Sequence, residues 1–365
     1  MPRQGGEGMN IDFHYGLIYV VSRLAGMSPQ EAGTIAHACQ YVDDATTPGV
    51  LLFAEGQTYE RFVSAHSMLD YKNCEDARDR MVWAPFHFLP GNEGQTFEDR
   101  VVCRPDSAVA REMVKRFLGA KRKDNDLHHL GILLHTYVDT FAHYGFSGTI
   151  SDINCVAHLD GHDHDRATWL EKLKANLEVA IDEVQSAAVQ LAVKVGHGAA
   201  LHFPDLPWAK WTYVNGKNEE VKRDNLPGFV AAANMAYKVV RAFRAGTADF
   251  VAQPDLPADQ KTLIEAVLMG CQSHDPDVRL ANIRVKLSDG AVAPLPEPIP
   301  PYVAKGEGSW KHKATGLDTV GDGGIPPQWT QTFETSDYRK FHDAVKEHRM
   351  DVTQYLLPEF GLRLA

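Results

Sequence analysis

Between His128 and Phe146 the chain reads His-His-Leu-Gly-Ile-Leu-Leu-His-Thr-Tyr-Val-Asp-Thr-Phe-Ala-His-Tyr-Gly-Phe, and this stretch constrains the fold more than any other. His135, Asp139 and His143 are each four residues apart. On an α-helix that spacing stacks side chains on one face, roughly 6 Å between successive Cβ atoms. His128 and Ile132 continue the stripe upstream, while Leu127, Leu130, Leu134, Val138 and Phe141 make an apolar stripe opposite. A helix with such faces holds polar ligands against a packed core. Imidazole and carboxylate are the donors that suit zinc, manganese or iron, and three in register can supply one ion or bridge two. The plainer reading is a set of core histidines hydrogen-bonded to a buried aspartate.

The 365 residues are enough for one large helical domain or two smaller ones. Hydrophobic residues make up 44% and charged ones 23%, a balance that excludes wholesale disorder. A net charge of −11 argues against a broad duplex-binding surface, since phosphate backbones are gripped by Lys and Arg. No targeting segment is read in the Gly-rich residues Met1–Gly8, and the apolar run Gly16–Val21 is too short to span a bilayer. The five cysteines are odd in number and lack paired spacing. Reduced thiols in a cytoplasmic protein are therefore expected.

Asn10–Gly16 leads into a short apolar helix ending near Ala25, with Asp12 and His14 at its mouth. Ser28, Pro29 and Glu31 give the next helix an N-cap, a first-turn proline and a capping box, and it should run to about Asp44. Asp43, four residues after Cys39, falls on its buried side, and Asp44 lies about a hundred degrees round. A carboxylate facing a core is costly unless paired or coordinated, so one of the two is a ligand candidate.

Gly49–Phe62 carries turn-like and strand-like signals, and His66 follows in an irregular or short helical stretch. Trp83–Gly91 sets His87 between Phe86 and Phe88 and between Pro85 and Pro90, which predicts a rigid extended segment with no room for a helix. It is either a hydrophobic plug or a pocket wall that brings His87 to substrate or metal. Asp106–Leu118 reads as an amphipathic helix. The loop carrying His158, His162 and His164 has the composition of a solvated acidic turn, and Arg166–Val195 reads as a long helix.

After Gly196 the chain sets His197 between glycines and fences His202 and Asp205 with Pro204 and Pro207. Glycine lets backbone approach a ligand, and proline fixes the direction of its neighbours. Trp208, Trp211 and Tyr213 add an aromatic patch. Further helices are expected over Leu226–Phe243, Pro257–Cys271 and Ser336–Leu357, with a Pro/Gly-rich connection at Lys286–Glu334. The division expected is a helical metal-binding domain over 9–285, an arm or lid over 286–334, and a C-terminal helix within 335–365 packed on the same domain.

In order, His14, the Asp43-Asp44 pair, His66, His135-x-x-x-Asp139 and His143, then His197, resemble the ligand sequence of zinc-dependent phospholipases C and single-strand-specific zinc nucleases. The chain also resembles a bacterial family defined as a domain of unknown function. That second resemblance rests on Asp-Phe-His-Tyr from Asp12, Tyr-Val-Asp-Asp from Tyr41, Phe-His-Phe-Leu-Pro-Gly from Phe86 and His-Thr-Tyr-Val-Asp-Thr-Phe-Ala-His from His135, and it covers most of the chain. It brings no activity with it.

The enzyme resemblance implies an all-α, multi-helix bundle with long loops, a trinuclear zinc cluster bridged by the helix aspartate, and water attacking phosphorus. Carried over, His135, Asp139, His66 and one of Asp43 and Asp44 would hold one ion. His143 and His197 would hold a second with Asp205 or His202, and His14 would belong to a third, with Asp12 standing where those enzymes use a free amino terminus. The histidine after their helix aspartate is spaced further on than His143 is here. Phe86, Phe88, Trp208 and Trp211 would receive substrate beside His87.

The function expected is a metal-dependent phosphodiesterase with two or three divalent ions, Zn2+ first and Mn2+ or Fe2+ next. Its substrate would be a small diester or a short single strand rather than duplex DNA. Two alternatives stand beside it: an HD-type phosphohydrolase or di-iron oxidase on the same ligands, and a non-catalytic helical protein that binds a partner.

Overall fold

The computed structural model describes residues 10–65, 76–161, 196–290, 297–319 and 321–364. The expected helix Arg166–Val195, together with His66, His162 and His164, lies outside them. Twelve helices are labelled here: α1 Ile18–Leu24, α2 Pro29–Asp44, α3 Asp76–Phe86, α4 Phe97–Arg100, α5 Ala108–Gly119, α6 Asp126–Ala142, α7 Asn225–Ala245, α8 Ala258–Gly270, α9 Pro276–Ser288, α10 Trp310–Thr315, α11 Gln331–Glu334 and α12 Asp337–Met350. No helix among the described residues is long and apolar enough to cross a membrane.

The chain is not all-α. Among the described residues the structure is about 53% helical and carries five strands in two small antiparallel sheets, which makes the class mixed α/β. Strands β1 (Gly49–Leu52) and β2 (Thr58–Arg61) form a hairpin with Gly49 opposite Arg61. The second sheet has the order β3 (Val156–Gly161), β4 (Lys210–Asn215), β5 (Glu220–Asp224). The helical reading missed β4 because it took Trp211 and Tyr213 as a loop patch. Their spacing of two is a strand period, and both face inward from β4.

A second correction concerns Trp83–Phe86, which ends α3 instead of running extended. Pro85 sits inside its last turn, where it removes the one bond its N–H would make to the Met81 carbonyl, and the helix stops one residue later. The Pro85 carbonyl accepts from the Thr136 hydroxyl and from His348, so the turn is tied to two other helices.

Two helices organise the interior. The capping box of Ser28 and Glu31 starts α2, which packs along α6. Their closest approach is at Gly131, where a Cβ would fall 2.7 Å from the Cβ of Ala38 and nearer still to the Ile35 carbonyl. Only glycine admits that approach. Ile35, Val42, Leu130, Leu134, Val138, Phe229 and Val240 belong to the main hydrophobic core. A smaller core holds Phe88, Phe146, Phe203, Trp208, Trp211 and Tyr213.

Segment 297–334 lies against the body. Glu297 binds Arg23 and Tyr19, Tyr302 reaches Asp44, Trp310 stacks on His37 at 3.9 Å, and Asp322 takes both ends of the Arg61 guanidinium.

Candidate metal centre

A cluster of five imidazoles and three carboxylates forms where the two cores meet. Helix α6 supplies His135 and Asp139 from successive turns, with His143 as its C-cap residue. Asp43 comes from the last turn of α2. His87 follows α3, two residues after Pro85. His14 comes from Asp12–Leu17, a π-helical turn ahead of α1, a wider winding that is found mostly at functional sites. His197 and Asp205 stand on two successive 3-10 turns, Gly198–Ala200 and Phe203–Asp205.

Backbone carbonyls fix the ring protons. Since a carbonyl can only accept, His135 Nδ1 donates to Cys39 O at 2.9 Å, His143 Nδ1 to His87 O at 2.8 Å, His197 Nδ1 to Leu201 O at 3.1 Å, and His87 Nε2 to Ser64 O at 2.8 Å. The opposite nitrogen of each neutral ring is therefore a lone pair. This is the arrangement that orients histidine ligands toward an ion.

Those lone pairs converge in two groups. In the first, His135 Nε2 lies 3.1 Å from His87 Nδ1, and Asp139 Oδ2 lies 3.2 Å and 3.5 Å from these two nitrogens. Asp43 Oδ1 completes it at 3.7 Å and 3.8 Å. In the second, His143 Nε2 and His197 Nε2 each lie 3.8 Å from Asp205 Oδ1. His14 stands beside the first, its ring stacked 4.0 Å from that of His135 and its Nε2 3.1 Å from Asp139 Oδ1. Among the described residues, His14 Nε2, His143 Nε2, His197 Nε2 and all four oxygens of Asp139 and Asp205 are buried without a hydrogen-bond partner.

The electrostatics describe a site short of positive charge. Burial holds His14, His87 and His197 below the usual imidazole range and brings His135 down to about 4. Burial also pushes Asp205 up to about 7 and Asp43 well above the carboxylate range, the latter with help from Asp139, Asp44 and Asp205. Burial alone would raise Asp139 too, but His143, His135 and His14 around it hold it well below the ordinary value. His143 is raised, because Asp139 and Asp205 outweigh the opposing effect of burial. Buried carboxylates crowded like this are stable when a cation lies among them.

Asp43, His87 and His135, then His143, His197 and Asp205, and also His14 and His135 with Cys39, form groups positioned to hold a metal ion, with Asp139 beside His14 and His135. His87, given above to a pocket wall or a ligand, stands among the donors. Other candidates lie elsewhere. Asp44 accepts from Tyr302 Oη at 2.6 Å, and Asp12 is held by Arg279 at 2.7 Å and 3.0 Å. His202 is exposed.

Of the aromatic residues, Phe88 stacks on His143 at 4.6 Å and forms the wall of the second group. Phe86 packs against His348, Trp208 lies beside His274 and Arg279, and Trp211 sits between Phe203 and Tyr213 with its N–H on Asn225. The residue missed is Cys39, whose buried sulfur lies 3.5 Å from His14 Nδ1. Its position four residues before Asp43 on α2 was the available signal. Burial holds its thiol well above the usual range, and with His14 and His135 it forms a third group whose donor atoms could hold a metal ion.

The chain belongs to a family of unknown function, DUF6765, whose model matches residues 9–356. No curated protein and no solved structure matches it.

Proposed function

We propose that this DUF6765 member is a metal-dependent hydrolase of phosphoric esters, with one ion held by Asp43, His87, His135 and Asp139 and a second by His143, His197 and Asp205. The observation that carries this reading is the convergence of lone pairs with no proton between them. His135 Nε2 and His87 Nδ1 face each other at 3.1 Å beside an Asp139 oxygen, an arrangement that repels unless a cation is shared. The donor set fits such a group: bonds of ~2.0–2.1 Å at a tetrahedral ion put neighbouring ligand atoms ~3.3 Å apart, close to the separations in the first group. The second group is looser, at 3.8 Å.

Divalent ions bound there would supply Lewis acidity at a phosphoryl oxygen and water acidic enough to attack near neutral pH. The chain's own part is to hold the donors and choose the substrate. Asp139, with Oδ1 toward His14 and Oδ2 toward His135 and His87, would help hold the first ion, and its Oδ2 also lies 3.7 Å from His143 Nδ1. Asp43 keeps 8% of its side chain in solvent, against 0–2% for the other ligand groups, so the side beside Asp43 is the one on which a substrate would approach. Gln40 Nε2 donates to Asp43 Oδ2 at 3.2 Å and turns Oδ1 inward.

The surface charge narrows the substrate. A chain of net charge −11 repels long polyanions and anionic membranes at a distance, whereas the cluster attracts phosphate only at short range. A small diester or a short single strand avoids that repulsion. The order of the ligands along the chain, which resembles that of zinc phospholipases C and nucleases, points to the same reaction.

The test is metal analysis after mild dialysis, followed by assay against a bis-aryl phosphodiester, short single-stranded DNA, duplex DNA and lipid vesicles, with Asp139→Asn as the blank. About two ions per chain and metal-dependent cleavage of the small diester are expected. Less than one ion, unrestored by zinc, manganese or iron, overturns the reading in favour of a non-catalytic partner-binding protein. Bound iron without ester cleavage turns it to an oxidase on the same ligands.

A further inference from the structure

Arg223, on β5, is 4% exposed, and among the described residues no carboxylate lies within ion-pair distance of it. Its guanidinium faces carbonyls instead. Nη2 donates to Ala142 O at 2.7 Å and Nη1 to Tyr144 O at 2.9 Å, while the guanidinium carbon rests 3.4 Å above the Tyr144 ring and 5.1 Å from that of Trp211. Burial lowers the pKa of this arginine, and the aromatic faces and carbonyl oxygens are what offset the loss of water.

The two carbonyls flank His143. That residue closes α6, its N–H still bonded to Asp139 O, and the chain then turns through Gly145 at φ +90° with Phe146 N–H returning to His143 O. Helix ends carry partial negative charge, and a rigid fork can bridge two carbonyls that a single ammonium cannot.

We propose that Arg223 is a positioning residue for the second ion: by holding the peptides on either side of His143 it fixes that ring so that Nε2 faces His197 and Asp205. This rests on the reading of the cluster as a two-ion centre. The strand pairing supplies the lever. Arg223 lies opposite Trp211 in the β4–β5 register, so the sheet that builds the smaller core also sets the end of α6. The first group depends on Asp43 of α2, His87 beyond α3, and His135 and Asp139 of α6, to none of which Arg223 hydrogen-bonds. Its loss should therefore separate the two ions.

The experiment is titration of metal-free protein with Co2+, read by visible absorption, for wild type, Arg223→Lys and Arg223→Gln, with metal-free melting as a companion measurement. Wild type should take up two ions. In Arg223→Lys one ion should bind as in wild type and the other ten- to a hundred-fold more weakly, the range found when an outer partner of a ligand is lost. Arg223→Gln, the second variant should Lys not fold, should behave likewise.

Equal weakening of both ions, or a lower melting temperature with both affinities unchanged, makes Arg223 a structural cap and overturns the proposal. Failure of both variants to fold does the same. Two ions at wild-type affinity in Arg223→Lys overturn this assignment alone, whereas a wild type that binds no cobalt overturns the two-ion reading beneath it.

Discussion

The two ligand groups are built from different material. Asp43, His135 and Asp139 stand on α2 and α6, two helices in backbone contact at Gly131, with His87 locked beside them by Ser64 O. His143, His197 and Asp205 stand on a helix end and on two 3-10 turns, and Leu201, whose carbonyl holds His197, has φ +60°. The first group's donor atoms lie 3.1–3.8 Å apart, while both nitrogens of the second lie 3.8 Å from their carboxylate. Donors on rigid, mutually packed elements are set by the fold itself, whereas donors on turns depend on the contacts that hold the turns.

The largest effect on this contrast should come from removing the carboxylate that lies between the groups, with Oδ2 3.2 Å from His135 Nε2 and 3.7 Å from His143 Nδ1. Asp139→Asn is expected to lose both ions and all metal-dependent activity, measured by elemental analysis of dialysed protein. Loss of the first group's ion alone would mean that the two groups are independent, and retention of both would mean that Asp139 is needed by neither. His197→Ala sharpens the contrast from the other side: one ion should be lost and the first group's ion retained, so a variant that loses both shows the turn-borne group to be essential to the whole cluster.

Next in size is Gly131→Ala. The added methyl meets Ala38 and the Ile35 carbonyl, so the helices must part or bend at a cost of about 3 kcal/mol. Denaturant unfolding measures the loss, and cobalt titration should show the first group weakened before the second. Unchanged stability would mean that α2 and α6 can separate freely.

How legible this was follows the same division. Helical period exposed His135, Asp139 and His143, and the Ser28 capping box dated the start of α2 to the residue, because both are local patterns that repeat with the geometry of one element. Period alone put Asp43 on the inner side, and the structure has it among the imidazoles with Asp44 turned to Tyr302. The turn residues were harder. His202 and Asp205 are three apart in a proline-fenced loop, and nothing local says that Asp205 is buried and His202 exposed.

Tertiary partners left no local trace at all. Arg279 on Asp12 and Arg223 at the end of α6 act across 267 and about 80 residues of sequence. β1 and β2 fall within Gly49–Phe62, where strand-like signals are present, whereas the strands of the second sheet were missed for a related reason. Elements of 4–6 residues carry too few positions for alternation to stand out, and their partners lie elsewhere in the chain.

The smallest expected effect lies outside both groups and isolates them. His342, on α12, donates from Nδ1 to Phe62 O, and burial brings its pKa down to about 3. The folded value lies below the unfolded one, near 6.5. Stability is therefore fully present above about pH 6.5 and falls as the pH drops from there toward 3, because the unfolded chain takes up the proton first. His342→Gln should flatten the loss of melting temperature between pH 6.5 and 4 while leaving metal content at neutral pH unchanged. A wild-type acid slope in that variant would assign the acid sensitivity to the other imidazoles that burial lowers, ligand rings such as His135 together with His129 and His348.

The carbonyl anchors on the imidazoles have a thermodynamic consequence. Each ring is committed to a backbone oxygen on one side, so in the metal-free chain its other nitrogen can gain a hydrogen only by becoming charged inside the core. Folding and ion capture are then a single equilibrium. With an ion at a hundred times its dissociation constant, the native state gains about 2.7 kcal/mol by mass action for each independent site, and the unfolded chain gains little. On the proposed two-ion reading, the melting temperature becomes a function of free metal as well as of sequence, and withholding the ion lowers the amount of folded protein.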